Sequence, residues 1–480
     1  MKCRRLAPLA GVALAGCYQP QPLDARSLME EARASEAARG GDRPSPRGTS
    51  SRALPGPRSG RAVSGGAPGA DGSGAPATSA RPDTVTVDQA VARALAWNPE
   101  LRARRHDLGI AEGQITAATA LANPTVEIEL LHLEEYRHDR AAAIQIGWDP
   151  PQPWVYAAKG AATRAQAEAV GREIAEAEWQ TIVAVRSAHA TLEAIGEKEV
   201  LVERSLATRH RIEELTERRL RGGASTAIDM SVAQLSVADA ERQREDLFQQ
   251  ELDGARALGE LVGAGHPVHA AGEGVPEETS PLPGLDALSD AALASRPALR
   301  AEESRFKQRE ETLRLEHARR WPWFRLTSIP RYRIDPFDVN RADYSVAVQL
   351  TVPVLDLNSG AIRIAEATRD AERERFRGQT GAVLRELATG LDELRLRRQT
   401  IERYRTTVIP RLDAHEALLG RAAEGGQIDL VAVLRAADGI LQSRSDFVNV
   451  RLGHHQAWLR LDRAVGRRVT GAPEARPAIP

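Results

Sequence analysis

Four short stretches of the chain alternate between apolar and polar residues. TVEIELL (125–131) sets Val126, Ile128 and Leu130 against Glu127 and Glu129, and AIQIGW (143–148) sets Ile144, Ile146 and Trp148 against Gln145 and Gly147. FRLTSI (324–329) sets Phe324 and Leu326 against Arg325 and Thr327. YSVAVQLTV (344–352) sets Tyr344, Val346, Val348, Leu350 and Val352 against Ser345, Ala347, Gln349 and Thr351. A period of two predicts strands with one apolar and one polar face. A half-buried sheet of a soluble domain would carry the same pattern.

Elsewhere the period is helical. Leu192, Ile195, Val202 and Leu206 form a heptad-like seam, and Leu430, Val433, Leu434, Ala437 and Leu441 mark one face of the last element. No proline interrupts Ala157 to Arg221, which predicts a helix of roughly 95 Å. Each half reads helix, strand pair, long helix, long helix.

The halves also repeat in sequence. ALAWNPELRA (94–103) returns as ALASRPALRA (292–301), with seven of ten residues identical at an offset of 198. Pro124 maps to Pro322 at the same offset. After a slip, Gly222-Gly223 map to Gly425-Gly426, and LGELVG (258–263) to LDRAVG (461–466), at 203. A period of this length is a duplicated half-molecule, not a solenoid unit. It predicts repeats over 84–270 and 284–470, a linker at 271–283 and a short tail at 471–480.

The N-terminus is of another kind. MKCRR precedes the apolar run LAPLAGVALAG and Cys17. The run is an export signal, too short to span a bilayer. Leu14-Ala15-Gly16-Cys17 resembles the bacterial lipobox, which implies cleavage after residue 16 and acylation of Cys17. An ordinary signal peptide with a chance cysteine is the other reading. With Cys3 removed, no thiol is left for a disulfide or a metal. Residues 18–80 are rich in Gly, Pro, Ser and Ala, so they are expected to form a disordered tether of roughly 40–50 Å.

Composition then narrows the function. Lys+Arg is 65 against Asp+Glu 66, so no basic surplus exists to neutralise a nucleic-acid backbone. Aromatics are only 4%, yet ten of the nineteen fall within 132–156 and 321–344, around the strands. Clustered aromatics at strand ends suit a membrane barrel. Four strands cannot close one, because the smallest single-chain barrels have about eight. The chain would have to oligomerise. The rival reading is a helical rod tethered to the outer membrane as a scaffold or spacer. A rod needs neither the strands nor the aromatics.

The order of NPELRA and RPALRA, LANPTVEIEL, VPVLDLNSGAIRIAEA, and EGGQIDLVAVLRAADGIL running to LDRAVG resembles the TolC-like outer-membrane factors over residues 84–470. The resemblance implies a mostly α fold with a membrane β-barrel. Each protomer gives four strands to a trimeric 12-stranded barrel, continued by a tunnel of long coiled-coil helices. It implies a passive exit duct with no enzymatic activity and no cofactor. The duct sits in the bacterial outer membrane and projects into the periplasm. Its partners would be two further copies, outer-membrane lipid, a periplasmic adaptor (membrane fusion) protein and an inner-membrane pump of RND or ABC type. VLDLNSGAI is somewhat more similar to the cation-efflux branch than to the drug branch.

The same resemblance assigns residues. Glu127, Glu129, Gln145, Arg325, Gln349 and Thr351 would face the barrel lumen. The connectors 132–140 and 331–341 would face the exterior. The turns holding Gly222, Gly223 and Ser225, and Gly425 and Gly426, would meet the adaptor. Asp229, Asp429 and Arg435 would lie at the periplasmic entrance, where several members carry aspartate rings. Asp229 matches such a position, but its counterparts Ala432 and Arg435 are not acids. Both aspartates also suit the first turn of a helix and need do nothing more.

Signals for catalysis and metal binding are weak. His454 and His455 are adjacent on a helix, point different ways, and are expected at the surface. His132 and His138 lie with Glu134, Glu135 and Asp139 in a strand connector, a solvated outer loop more readily than a cation site. No metal site is assigned.

Overall fold

The computed structural model describes residues 83–132, 140–272, 274–334, 341–425 and 430–469. The signal, the tether, the centres of both strand connectors, Gly426, Asp429 and the tail from 471 lie outside the described residues. The first half runs β1 (Thr84–Val85), α1 (Val87–Trp97), α2 (Pro99–Ala118), β2 (Thr125–His132), β3 (Arg140–Trp148), α3 (Pro153–Arg221), α4 (Ala227–Leu261) and β4 (His269–Ala270). The second runs α5 (Leu285–Ser295), α6 (Pro297–Ala318), β5 (Trp323–Ile334), β6 (Arg341–Thr351), α7 (Ser359–Arg403), a π-helical turn (Tyr404–Val408), α8 (Ile409–Gly425) and α9 (Leu430–Val465).

The opening helix of each half is broken in two, which the periodicity did not anticipate. The break falls at Asn98-Pro99 and again at Arg296-Pro297. Proline starts a helix well but disfavours helical geometry in the residue before it. Asn98 caps the new helix by accepting from the Leu101 N–H at 3.0 Å, and its amide donates to the Leu261 carbonyl at 2.9 Å. Arg296 likewise donates to the Ala464 carbonyl at 3.0 Å.

Leu261 and Ala464 stand 203 residues apart, the offset of LGELVG and LDRAVG. In each half a glycine with positive φ follows, Gly263 at 72° and Gly466 at 80°. A Cβ on Gly263 would lie 2.3 Å from the Trp97 carbonyl oxygen, and one on Gly466 would lie 2.4 Å from the Arg296 Cα. The two repeated motifs are therefore one joint written twice: a proline-broken helix docked on a glycine-ended one.

Each half packs its own core around this joint. Val85, Ala90, Ala94, Val185, Leu192, Ala255, Leu258, Val262 and Val268 form the first. Leu288, Ala292, Leu299, Val383, Leu387, Leu391, Leu394, Ala457, Trp458, Leu461, Ala464 and Val465 form the second. Smaller clusters tie the halves together. Ile195, Val202 and Leu247 meet Leu441, and Ile212 meets Val433 and Leu434. α3 is 69 residues long, roughly 100 Å at helical rise, and all four seam residues named above are buried. The π turn of the second half lies just before Pro410, which cannot donate to the Thr406 carbonyl.

The strands join across the duplication. One antiparallel sheet has the order β2-β3-β5-β6, with β3 of the first half paired to β5 of the second. β2 and β6 are its edges.

Candidate functional site

The register sorts the sheet into two faces. Val126 pairs with Ile146, Ile146 with Ser328 and Ser328 with Val346; Trp148, Leu326 and Val348 form the next row, and Phe324 pairs with Leu350. This apolar face is open: Val126, Val346, Val348 and Leu350 are 62–70% exposed. In water so large an apolar face is costly at about 25 cal/mol per Å². It calls for a non-aqueous neighbour.

The other face carries Glu127, Arg325 opposite Gln349, and Trp323 opposite Thr351, and Glu127 pairs with Gln145 in the ladder. Glu129 pairs with Ala143 in the ladder. Arg325 holds Asp149 through two parallel hydrogen bonds of 2.5 and 2.8 Å. Where side chains are described, the faces follow the alternation of the sequence, with Ser328 a polar residue within the apolar rows. Aromatics gather at the helix-side end of the sheet, where Trp154 meets Trp323 edge to face at 5.9 Å, and Trp323 packs on Phe324 at 4.7 Å.

The far end of the helical body is the α3–α4 turn. Gly222 ends α3, and Gly223 takes φ 72°. The Ala224 N–H then donates to the Arg219 carbonyl at 2.8 Å and the Gly223 N–H to that of Leu220 at 3.0 Å. This is a Schellman ending, which glycine enters without a Cβ penalty. Thr226 caps α4 reciprocally with Asp229. One oxygen of Asp229 accepts from the Thr226 N–H, the Thr226 hydroxyl and the Ser225 hydroxyl at 2.8–2.9 Å. These bonds, those of Thr226 first, hold the carboxyl below its ordinary pKa. The geometry gives Asp229 the helix-start role, and the Ser225 hydroxyl is already engaged. α8 ends at Gly425, and Arg435 is exposed on α9.

One expectation is corrected. His454 is not at the surface but buried at 4% exposure, because the end of α9 sinks into the second core. Its Nε2 accepts from the Trp458 indole N–H at 3.3 Å. His455 is half-buried, and burial lowers its pKa to about 4.

Other polar groups escaped the sequence reading. Arg209 is 2% exposed and donates to the Ser236 carbonyl at 2.6 Å and to Asp438, joining α3, α4 and α9. The signal was present: Ile195, Val202, Arg209 and Thr216 follow one heptad step and are all buried. The segment between the repeats is strapped down as well. Glu197 accepts from the Val275 N–H at 2.7 Å and from Arg451, while Arg398 donates to the carbonyls of Thr279 and Ser280. Nearby, burial and then the charge of Glu197 raise Glu193 to about 7.

Among the described residues, no group of three His, Cys, Asp or Glu side chains could hold a metal ion. No described helix is long and apolar enough to cross a membrane.

Residues 288–467 match the family model for outer membrane efflux proteins. The chain is 24% identical over 391 residues to the cobalt-zinc-cadmium resistance protein CzcC of Cupriavidus metallidurans, covering 80% of this chain and 90% of that one. Among solved structures it is similar to a membrane protein from Pseudomonas aeruginosa, with TM-score 0.68 and 20% identity over 80% of this chain and 91% of that one. CusC gives 0.67 and 15% over 81% and 94%. VceC, an outer membrane protein of Vibrio cholerae, gives 0.65 and 19% over 79% and 96%. The long helices and the two-faced sheet agree with these likenesses, and residues 288–467 carry the outer membrane efflux protein model.

Proposed function

We propose that the protein is the outer-membrane exit duct of a tripartite efflux system. The observation that carries this is the sheet: apolar and open on one face, polar on the other, with an edge strand at each end. In lipid every backbone N–H and C=O needs a partner, so the edges must close on other strands. Closure by three copies would join β6 of one to β2 of the next in a 12-stranded barrel. The apolar face then meets lipid. Glu127, Glu129, Gln145, Arg325, Gln349 and Thr351 line a water-filled bore. A tethered scaffold would have no use for such a sheet.

The duct moves cargo passively, and an inner-membrane pump of RND or ABC type supplies the energy through a periplasmic adaptor docked at the Gly222–Ser225 and Gly425–Gly426 turns. Asp229, Asp429 and Arg435 would sit at the entrance beside it. Acylated Cys17 adds an anchor to the same membrane. Likeness to the cobalt-zinc-cadmium resistance protein supports metal cations as the cargo.

The test is twofold. Mass measurement of the full chain in detergent should give three copies, and planar bilayers should show conductance. A stable inserted monomer without conductance would refute the duct and leave the scaffold. Deletion should sensitise cells to cobalt, zinc or cadmium; sensitivity to organic drugs alone would refute the cargo.

A further inference from the structure

The VPVLDLNSG stretch does more than connect β6 to α7. Leu355 is fully exposed, Val354 is 76% exposed, and Val352 and Leu357 are about half exposed. The loop is nevertheless held in shape. The Val354 N–H donates to the Val352 carbonyl at 2.9 Å, a tight three-residue turn. The Asn358 N–H donates to Asp356 at 2.9 Å, and Asn358 takes the left-handed conformation at φ 59°. Its side-chain amide donates to the carbonyl and the carboxylate of Glu316 at the end of α6, both at 2.9 Å. A fixed loop with four apolar side chains facing water is built to meet something.

The duplication says what that is. The matching loop of the first half, between β3 and α3, is tied to its own chain. Asp149 is gripped by Arg325, and Trp154 in the first turn of α3 packs on Trp323, both partners being on β5. β5 is the strand beside β3. At the repeat offset of 198, Trp323 and Arg325 correspond to Thr125 and Glu127 at the base of β2. Within one chain that base lies at the opposite edge of the sheet from β6, about three strand spacings or ~14 Å away. The loop cannot reach its own β2.

We propose that the Val352–Leu357 loop grips the next copy of this chain, packing its apolar side chains on the base of that copy's β2 around Thr125 and Leu121. Leu121 is itself 61% exposed, so apolar surface meets apolar surface. The inner junction of the sheet uses an ion pair, and the junction between copies uses burial. The inference rests on closure of the sheet by copies, the reading given above, and adds the contact that locks closure at the helix-side end.

Cysteine pairs in the full chain test it: Leu355→Cys with Leu121→Cys, and Leu355→Cys with Thr125→Cys. A disulfide needs Cα atoms within about 7 Å, which the sheet forbids inside one chain. Oxidation should give a reducible ladder of linked copies for at least one pair. Trimers of normal mass that yield only single chains on denaturing gels, for both pairs, overturn the loop contact and leave the duct standing. Loss of trimers in the unaltered chain overturns both.

Leu355→Asp provides the second arm. Helical content should be unchanged, while the trimer–monomer equilibrium shifts toward monomer about tenfold per junction, the scale of losing one buried leucine, and so about a thousandfold over three junctions. An unchanged ratio also overturns the proposal and would fit a loop that lies in lipid.

Discussion

Placing one arginine at successive positions of β6 should trace the membrane through the sheet. β6 has 11 residues, so at about 3.4 Å per residue it is ~37 Å long. Tilted by about 40°, it rises ~28 Å, close to the apolar band of an outer-membrane barrel. Val346 lies five residues from the helix-side end at Thr351, ~13 Å up and near the midplane. Val348 lies three residues from that end, ~8 Å up. Both are on the open apolar face. Arginine at a midplane lipid-facing site costs about 2–4 kcal/mol and falls toward 0–1 near the interface. Val346→Arg should therefore cost about 2–4 kcal/mol per copy and Val348→Arg about 1–3. A trimer multiplies each by three. Gln349→Arg, on the polar face, should cost close to nothing while altering ion selectivity, because each copy adds a charge to a ring around the bore. The assay is denaturant titration of the protein refolded into lipid vesicles, with bilayer conductance measured beside it. Equal tolerance at Val346, Val348 and Gln349, with no change in selectivity, would show that the sheet does not stand in a membrane.

Three further outcomes are expected. Gly263→Ala should destabilise the chain by at least about 1–2 kcal/mol, because φ is positive there and the new Cβ meets the Trp97 carbonyl; Gly466→Ala should match it in urea unfolding, and a neutral result at both would refute the repeated joint. Glu193 holds its proton up to about pH 7 when folded and to the ordinary carboxylate range when unfolded. Its contribution to stability is therefore full below about pH 4.5 and lost as pH rises to about 7. Glu193→Gln should flatten that part of the Tm–pH curve, and an unchanged slope would count against a buried, proton-holding Glu193. Cys17→Ala should abolish metabolic labelling by a fatty acid, since anchoring needs an acyl chain on that sulfur; label retained in the variant would refute the lipobox reading.

Local pattern fixed a good deal of this molecule. Alternation assigned Val126, Val346 and Val348 to one face and Arg325 and Gln349 to the other, because strand side chains must alternate whatever the partner strand is. Gly223 was legible for a similar reason, since positive φ is a backbone constraint written in a single residue. The echo of NPELRA in RPALRA was legible as a repeat, while the helix break at its proline was found only in the structure. The sequence could not announce what depends on residues far away. That β3 pairs with β5, leaving β2 and β6 as edges, is a choice among distant strands. His454 looked like a surface residue because its burial depends on distant parts of the chain, Glu278 and Thr279 between the repeats and Arg398 and Ile401 on α7, which meet it only in the folded molecule. Arg209 breaks the apolar pattern of its heptad, and only the arrival of the Ser236 carbonyl and Asp438 makes its place in the interior tolerable. Asp229 could have been a free acid, until three donors from its own turn met one of its oxygens. Period and backbone geometry are properties of a segment, so they can be read from it; burial and pairing are properties of the whole chain, decided only when its parts meet.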